Sequence, residues 1–307
     1  RTYSGPPATD QMEMKIDIDD GVMPHSAPVR RVNPATRTII IDYARKLLKA
    51  GVIEPSTSAW NSNLLIVKKK TGGYRVCCDW RRVNQVTKPM SSNLPPIQQN
   101  LDCLGGSKFF TALDCCDGYF SLPLEEQSRP YTAFNVPGHG SYQFTRAGQG
   151  LRNSQQYFVA LTNKMLRDLN WKCCATFSDD VIVFSPTWAR HIEDLRQVFE
   201  RFRRFNLKIK GKKVSMAQKE LSYCGYLVTV DGIRADPKKV ETIDKIEQPR
   251  TLKALRRFLG CCQWLAKFIP HYALMSEPLR PLTRKGRFTT KWNQEQVNAF
   301  NKLKVCL

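Results

Sequence analysis

Phe177-Ser178-Asp179-Asp180-Val181-Ile182-Val183-Phe184 is the stretch on which the fold turns. It sets two adjacent carboxylates in a tight turn between two apolar runs, Cys173–Phe177 and Val181–Phe184. Neighbouring like charges whose flanks both seek burial are costly unless something compensates them. Taken alone, Asp-Asp is a common turn pair, and a polar hairpin is the simpler reading. A second segment weakens it: Phe109–Leu113 predicts a buried strand that ends in Asp114. Three carboxylates brought together from two strands would cradle two Mg²⁺ ions about 3.5–4 Å apart, activating an attacking oxygen and stabilising a leaving one.

Working outward, the chain mixes helical and strand periodicities. The spacing predicts a helix over Ile39–Ala50 ending at Gly51. Leu64–Val67 and Tyr74–Cys78 read as a hairpin around the basic tip Lys68-Lys69-Lys70-Thr71-Gly72-Gly73. Pro95-Pro96 opens a short helix stopped at Gly105-Gly106, and Tyr131–Val136 with Ser141–Phe144 make a second hairpin. Helices are expected over Gln155–Asn170, over Ala189–Phe205, from Asp236-Pro237 to about Glu247, and after a Thr251 cap. Trp292 precedes a last helix near Glu295–Lys304. Residues 1–36, with Pro6, Pro7, Pro24, Pro28 and Pro34, show little periodicity and read as an extended arm or linker. Hairpins imply antiparallel pairing, so the fold class is α+β.

The 307 residues carry 48 Lys+Arg against 27 Asp+Glu, a net charge of +21. Such a chain attracts a polyanion, nucleic acid before an anionic membrane surface. Six of the cations and no acid fall in residues 203–213; residues 251–307 hold eleven, with only Glu277 and Glu295 as acids. A mean hydropathy of −0.41 suits a globular chain, and no apolar run of about 18 residues is present to span a membrane. The opening Arg1-Thr2-Tyr3-Ser4 reads as a fragment or processed product. Of the eleven cysteines, eight form the adjacent pairs Cys77-Cys78, Cys115-Cys116, Cys173-Cys174 and Cys261-Cys262, with no C-x-x-C spacing. Small hydrophobic residues in an intracellular reducing compartment are the expectation, with neither disulfide nor zinc.

Leu113-Asp114-x-x-x-Gly118-Tyr119, Tyr131-Thr132-Ala133-Phe134, Phe177-Ser178-Asp179-Asp180 and Leu252-x-x-Leu255-Arg256-x-Phe258-Leu259-Gly260 follow one another in the chain. Val67-Lys68-Lys69-Lys70, Arg75-Val76-Cys77-Cys78-Asp79-Trp80-Arg81-x-x-Asn84, His191-Ile192-Glu193-Asp194-Leu195 and Cys224-Gly225-Tyr226-Leu227 accompany them. In this order and spacing, from about residue 12 to 304, the chain resembles a reverse transcriptase of the gypsy-type LTR retrotransposon and retroviral branch.

The resemblance implies a right-hand polymerase of fingers, palm with antiparallel sheet, and helical thumb. It divides the chain into an extended arm (1–30), fingers (31–88 with 122–154), palm (89–121 and 155–232), thumb (233–290) and the start of a connection region (291–307). It implies an RNA-directed and DNA-directed DNA polymerase that extends a primer 3′-hydroxyl with dNTPs. Asp114, Asp179 and Asp180 become the catalytic ligands of two Mg²⁺ ions, or Mn²⁺ in their place, with the Cys115 carbonyl as a further ligand. Lys69 and Arg75 would close on the triphosphate, while Tyr119 would pack under the sugar and exclude a 2′-hydroxyl. Gln149 would line the dNTP pocket, where most gypsy-type elements carry Phe; Phe177 stands where the family usually has Tyr, keeping the ring and losing the hydroxyl. Asp79, Arg81 and Asn84 would meet the template, and Gly225 and Tyr226 the primer end. Arg256, Gly260 and Trp264, spaced four apart, would turn one helix face to a minor groove, although a core role for Trp264 fits as well.

Implied partners are an RNA–DNA hybrid or DNA duplex primer–template, dNTPs and other products of a retroelement polyprotein. A homo- or heterodimer is compatible with the resemblance, and no membrane is expected. The implied location is a cytoplasmic virus-like particle or virion core, with the nucleus as an alternative. No RNase H activity is expected of this stretch. Two competing readings stand beside the polymerase. A catalytically silent nucleic-acid-binding subunit would need no nucleotide pocket, and a metal-dependent nuclease would leave Tyr119 and the basic hairpin unexplained.

Overall fold

A computed structural model describes residues 5–306 apart from 29, 69–71, 92–94 and 285. In chain order the elements are α1 (Pro34–Lys49), β1 (Ile53–Pro55), β2 (Leu64–Lys68), β3 (Tyr74–Cys78), α2 (Arg81–Val86), α3 (Ile97–Asp102) and β4 (Phe109–Asp114). There follow β5 (Phe134–Val136), β6 (Gly140–Phe144), α4 (Ser154–Leu166), β7 (Cys174–Phe177), β8 (Asp180–Ser185) and α5 (Trp188–Arg204). Then come β9 (Ser215–Gln218), β10 (Glu220–Tyr223), β11 (Tyr226–Thr229), β12 (Gly232–Ala235), α6 (Pro237–Asp244), α7 (Leu252–Trp264), α8 (Tyr272–Ser276) and α9 (Gln294–Val305). The architecture is α+β with antiparallel hairpins, and it divides into two units, residues 1–103 with 110–217 and residues 104–109 with 218–307.

In the first unit a four-stranded sheet runs in the order β7-β8-β4-β9. Its central strand β8 buries Val181, Ile182 and Val183 completely, as a strand with neighbours on both edges and helices nearby must. Helix α5 covers it by burying Leu195, Val198 and Phe202, whereas Ile192 and Phe199, apolar at the same helical spacing, stay exposed. A smaller sheet of order β1-β6-β5 and the hairpin β2–β3 complete this unit. The proline-rich start runs extended and is packed in place: Met14 and Ile16 are buried, and single bridges join Met14 to Leu124, Ile18 to Thr87 and Ser26 to Asn61.

In the second unit β10, β11 and β12 form an antiparallel sheet. The helices beyond it share a core in which the Phe258 and Phe300 rings lie 4.6 Å apart. None of the described helices is long and apolar enough to cross a membrane.

Three boundaries differ from the sequence expectation. Helix α1 begins at Pro34, because the Asn33 side chain accepts a hydrogen bond from the Thr36 amide at 2.8 Å and Pro suits the first turn. Tyr131 and Thr132 belong to a 3₁₀ turn over Glu126–Thr132, so the strand starts at Phe134. Helix α4 stops at Leu166, well before Asn170.

Candidate active site

The register of β7 and β8 pairs Phe177 with Asp180, leaving Ser178 and Asp179 as a two-residue loop. Such loops need left-handed backbone, and Ser178 supplies it at φ +59°. The apolar strand behind the turn is drawn into the core, which leaves Asp179 and Asp180 exposed at its mouth. On the neighbouring strand β4, Asp114 keeps 22% of its side-chain surface.

The three carboxylates act on the same surroundings. The Asp180 carboxyl is raised from its ordinary value by partial burial, then by the charges of Asp179 and Asp114, with Lys213 opposing. Burial pushes the Cys115 thiol up to about 12, and Asp179, Asp114 and Asp180 all add to it. Facing them, the Lys213 ammonium lies 2.7 Å from Asp114 Oδ2 and is held above its usual range chiefly by that hydrogen bond. Backbone pairing delivers it there: the Cys116 amide donates to the Lys208 carbonyl, and the Lys210 amide to that of Asp114. The turn Gly211–Lys213 follows directly.

Tyr119 stands in the 3₁₀ turn Gly118–Ser121, its ring packed edge-on against Phe158 at 5.7 Å. Burial raises its phenol, a hydrogen bond with Ser178 lowers it, and the nearby Asp179 raises it further. The ring is thereby tied to the carboxylate turn. Gly118 is required beside it, since a Cβ there would meet Phe158 at 2.8 Å. Phe177 is half-buried at the end of β7.

On the hairpin, Arg75 lies opposite Val67 and is exposed. Lys69 falls outside the described residues. Asp79 and Arg81 form a two-pronged ion pair at 2.7 and 2.6 Å, and Arg81 holds the Asp79 carboxyl below its usual range. The Asn84 amide is occupied within the protein: Nδ2 donates to the Gly150 carbonyl, and Oδ1 accepts from the Arg152 amide. Trp80 Nε1 donates to the Gln149 carbonyl at 3.2 Å. Together these bonds fix the loop from which the exposed Gln149 side chain projects. A cavity of about 460 Å³ beside them is lined by His25, Arg30, Asn61, Asp79, Arg81 and Arg82 among others.

In the second unit, Gly225 (φ +82°) turns the β10–β11 hairpin, with a Cβ there only 3.3 Å from the Trp264 indole nitrogen. The Tyr226 and Trp264 rings stack at 5.5 Å, the Tyr226 hydroxyl donates to the Trp264 carbonyl, and Lys267 Nζ lies 4.1 Å over the Tyr226 ring. Trp264 remains 43% exposed, so it is a surface platform and no core residue. Space above Gly260 is open, and Arg256 donates to the Thr283 carbonyl at 2.7 Å.

Residues 66–228, more than half of the chain, match the family described as reverse transcriptase (RNA-dependent DNA polymerase). The chain belongs to the reverse transcriptase family. Among reverse transcriptase relatives, it is 38% identical over 277 residues to the retrovirus-related Pol polyprotein from transposon opus of Drosophila melanogaster. That match covers 85% of this chain and 28% of the polyprotein. The polyprotein from transposon gypsy of the same fly is 32% identical over 279 residues, covering 86% and 27%. The chain therefore spans under a third of the curated relatives it matches. Its fold is that of a foamy viral protease–reverse transcriptase solved with double-stranded DNA, at a TM-score of 0.87 and 24% identity, over 98% of this chain and 53% of that one. The same viral enzyme with an RNA/DNA hybrid gives 0.83 at 23%, over 98% and 40%.

Two residues of this candidate site are not distinguished by the sequence. Lys213 was one cation of the basic run 203–213, and no spacing distinguishes the one that reaches Asp114. Trp80 was read only as part of a motif, although its indole holds the Gln149 loop.

The donors at the turn suit a hard divalent cation. They are carboxylate oxygens, mutually repelling, and they have already drawn in one cation, Lys213. Among the described residues no three such groups close around a point where an ion would sit, so the set is open as it stands.

Proposed function

We propose that this chain is the polymerase portion of a retroelement reverse transcriptase, extending a primer 3′-hydroxyl on an RNA or DNA template with dNTPs. The observation that carries it is that Asp114 on β4, Asp180 on β8 and Asp179 in the turn before it act together on both Cys115 and Lys213. Asp114 and Asp179 would hold Mg²⁺, or Mn²⁺, with Asp180 and the Cys115 carbonyl completing the set. Those ions supply activation of the primer hydroxyl and neutralisation of the departing pyrophosphate. Arg75, with Lys69, binds the triphosphate, and Gln149 on its fixed loop meets the incoming nucleotide. Arg81 and the cavity beside it receive template, Gly225 and Tyr226 the primer end, and Trp264, Gly260 and Arg256 the duplex.

The same reading assigns residues 31–88 with 122–154 to fingers, 89–121 with 155–232 to palm and 233–290 to thumb. The nucleic acids bound in the foamy viral structures support a hybrid or duplex as the partner. Primer extension on an RNA template with Mg²⁺ and dNTPs tests it. Template-dependent extension is the expected result, and primer–template binding without extension would overturn it.

Tyr119 makes a sharper claim in the same assay. Its ring packs edge-on against Phe158 and its hydroxyl is hydrogen-bonded with Ser178 of the Asp179 turn. Tyr119→Ala should raise the ratio of ribonucleotide to deoxynucleotide incorporation at least tenfold, roughly the discrimination one steric contact provides. The measurement is kcat/KM for rNTP against dNTP in both proteins.

A further inference from the structure

A second polar cluster lies inside the first unit, buried and apart from the carboxylate mouth. His191 is fully buried on α5; its Nε2 lies 2.8 Å from Thr111 Oγ1 on β4 and its Nδ1 3.0 Å from Ser185 Oγ at the end of β8. Ser185 donates its only proton to Asp194 Oδ2 at 2.7 Å. The other Asp194 oxygen meets Arg190 Nε at 2.9 Å. At the far end the Ala217 amide, on β9, donates to Thr111 Oγ1 at 2.9 Å.

Donor counting orients the whole chain. A carboxylate only accepts, so the Ser185 proton is committed to Asp194, and Ser185 Oγ can serve Nδ1 only by accepting. Nδ1 therefore carries a proton, and in the neutral ring Nε2 is then the acceptor to which the Thr111 hydroxyl donates. The order is Ala217 amide to Thr111, Thr111 to His191, His191 to Ser185, and Ser185 to Asp194. It joins β9, β4, α5 and β8 in one polarised line. In a buried setting such a line tolerates no missing member, because each loss strands a desolvated partner.

Thr111 lies three residues before Asp114 on β4, and Ser185 closes the strand that Asp180 opens. We propose that His191 is a positioning residue for the catalytic carboxylates, fixing β4 and β8 through Thr111 and Ser185 so that Asp114 and Asp180 stay aligned at the mouth. The inference rests on those two aspartates being the reacting centre's ligands. Misalignment by a fraction of an ångström to an ångström is enough to slow a positioned reaction severely. The groups facing His191 and its partners agree with a neutral ring: Asp194 and Arg190 neutralise each other on α5, and the Cys173 thiol lies near them beside β7. Burial accordingly lowers the His191 pKa from 6.5, against the opposing pull of Asp194.

The test uses the whole chain and Thr111→Val, which removes the hydroxyl at nearly constant shape. Primer-extension kcat should fall about tenfold to a hundredfold, while dNTP KM and primer–template Kd stay within about twofold. Thr111→Ser should restore kcat. Histidine ¹⁵N NMR should show the Nδ1–H tautomer of the neutral His191 ring, with protonation shifted below the ordinary histidine range. An Nε2–H tautomer, or unchanged kcat in Thr111→Val, would overturn the proposal. So would a parallel loss of melting temperature, Kd and kcat that Thr111→Ser fails to reverse. An unmodified chain that extends no primer would instead overturn the reading of the site on which this inference depends.

Discussion

Asp179→Asn should remove primer extension by about a thousandfold, roughly 4 kcal/mol of barrier, while primer–template affinity changes only a few-fold. The substitution is nearly isosteric, and Asp179 is exposed at the tip of a two-residue loop, so the strands behind it lose no packing. What disappears is one of three negative charges that act together on Cys115. A cation held by that set loses a ligand and its charge, and a neutral amide replaces neither. Single-turnover extension beside fluorescence-anisotropy binding separates the two effects. If extension and affinity fell together, the carboxylate would be serving the grip on the nucleic acid, and the assignment of Asp179 to chemistry would be wrong.

The second large effect is on binding. With a net charge of +21 and cations gathered in 203–213 and 251–307, affinity for a primer–template should drop by about 10³ to 10⁵ between roughly 50 and 200 mM salt. That range corresponds to six to ten phosphates neutralised, which the eleven lysines and arginines of 251–307 could supply with help from 203–213. The slope should barely change when the base sequence is varied, because contacts to phosphate carry no sequence information. A titration by anisotropy at several salt concentrations measures it directly. A nearly flat plot would mean that these cations face solvent and that aromatic stacking on the exposed Trp264 dominates the grip.

The parts of the fold that the sequence disclosed are those in which burial and period coincide. Strands β4, β7 and β8 and helix α5 are mostly apolar where they are buried, with His191, Asp194, Thr111 and Ser185 among the polar exceptions, and their limits were anticipated to within a residue or two. The first helical turn at Asn33-Pro34 was hidden because its residues are polar and exposed; only its cap marks it. Helix α2 begins at Arg81, after a Trp80 that offers no side-chain cap, and its six residues are too few for a periodicity. The sequence places no strand over β9, which is mostly exposed, or over β10, four residues long, although β10 buries Leu221 and Tyr223 in alternation with exposed Glu220 and Ser222. At the site the aspartates stand out because Asp114 ends an apolar run, Asp180 begins one and Asp179 is its neighbour in the turn. Lys213 does not, since its partner is set by backbone pairing at 208–210 and not by any local pattern. Asn84 was legible as a polar residue in a recognisable motif, but its use as an internal brace depends on a loop distant in sequence.

The Lys213–Asp114 ion pair reaches beyond the chemistry of one turnover. A cluster of carboxylates with no cation of its own would push its strands apart whenever metal is withdrawn, and chelation would then threaten the fold. Here the chain carries a tethered ammonium that occupies one of those oxygens. If the proposed metal binds there, withdrawing it would become an exchange of counter-ions at a standing scaffold, and the chain would fall dormant without coming undone.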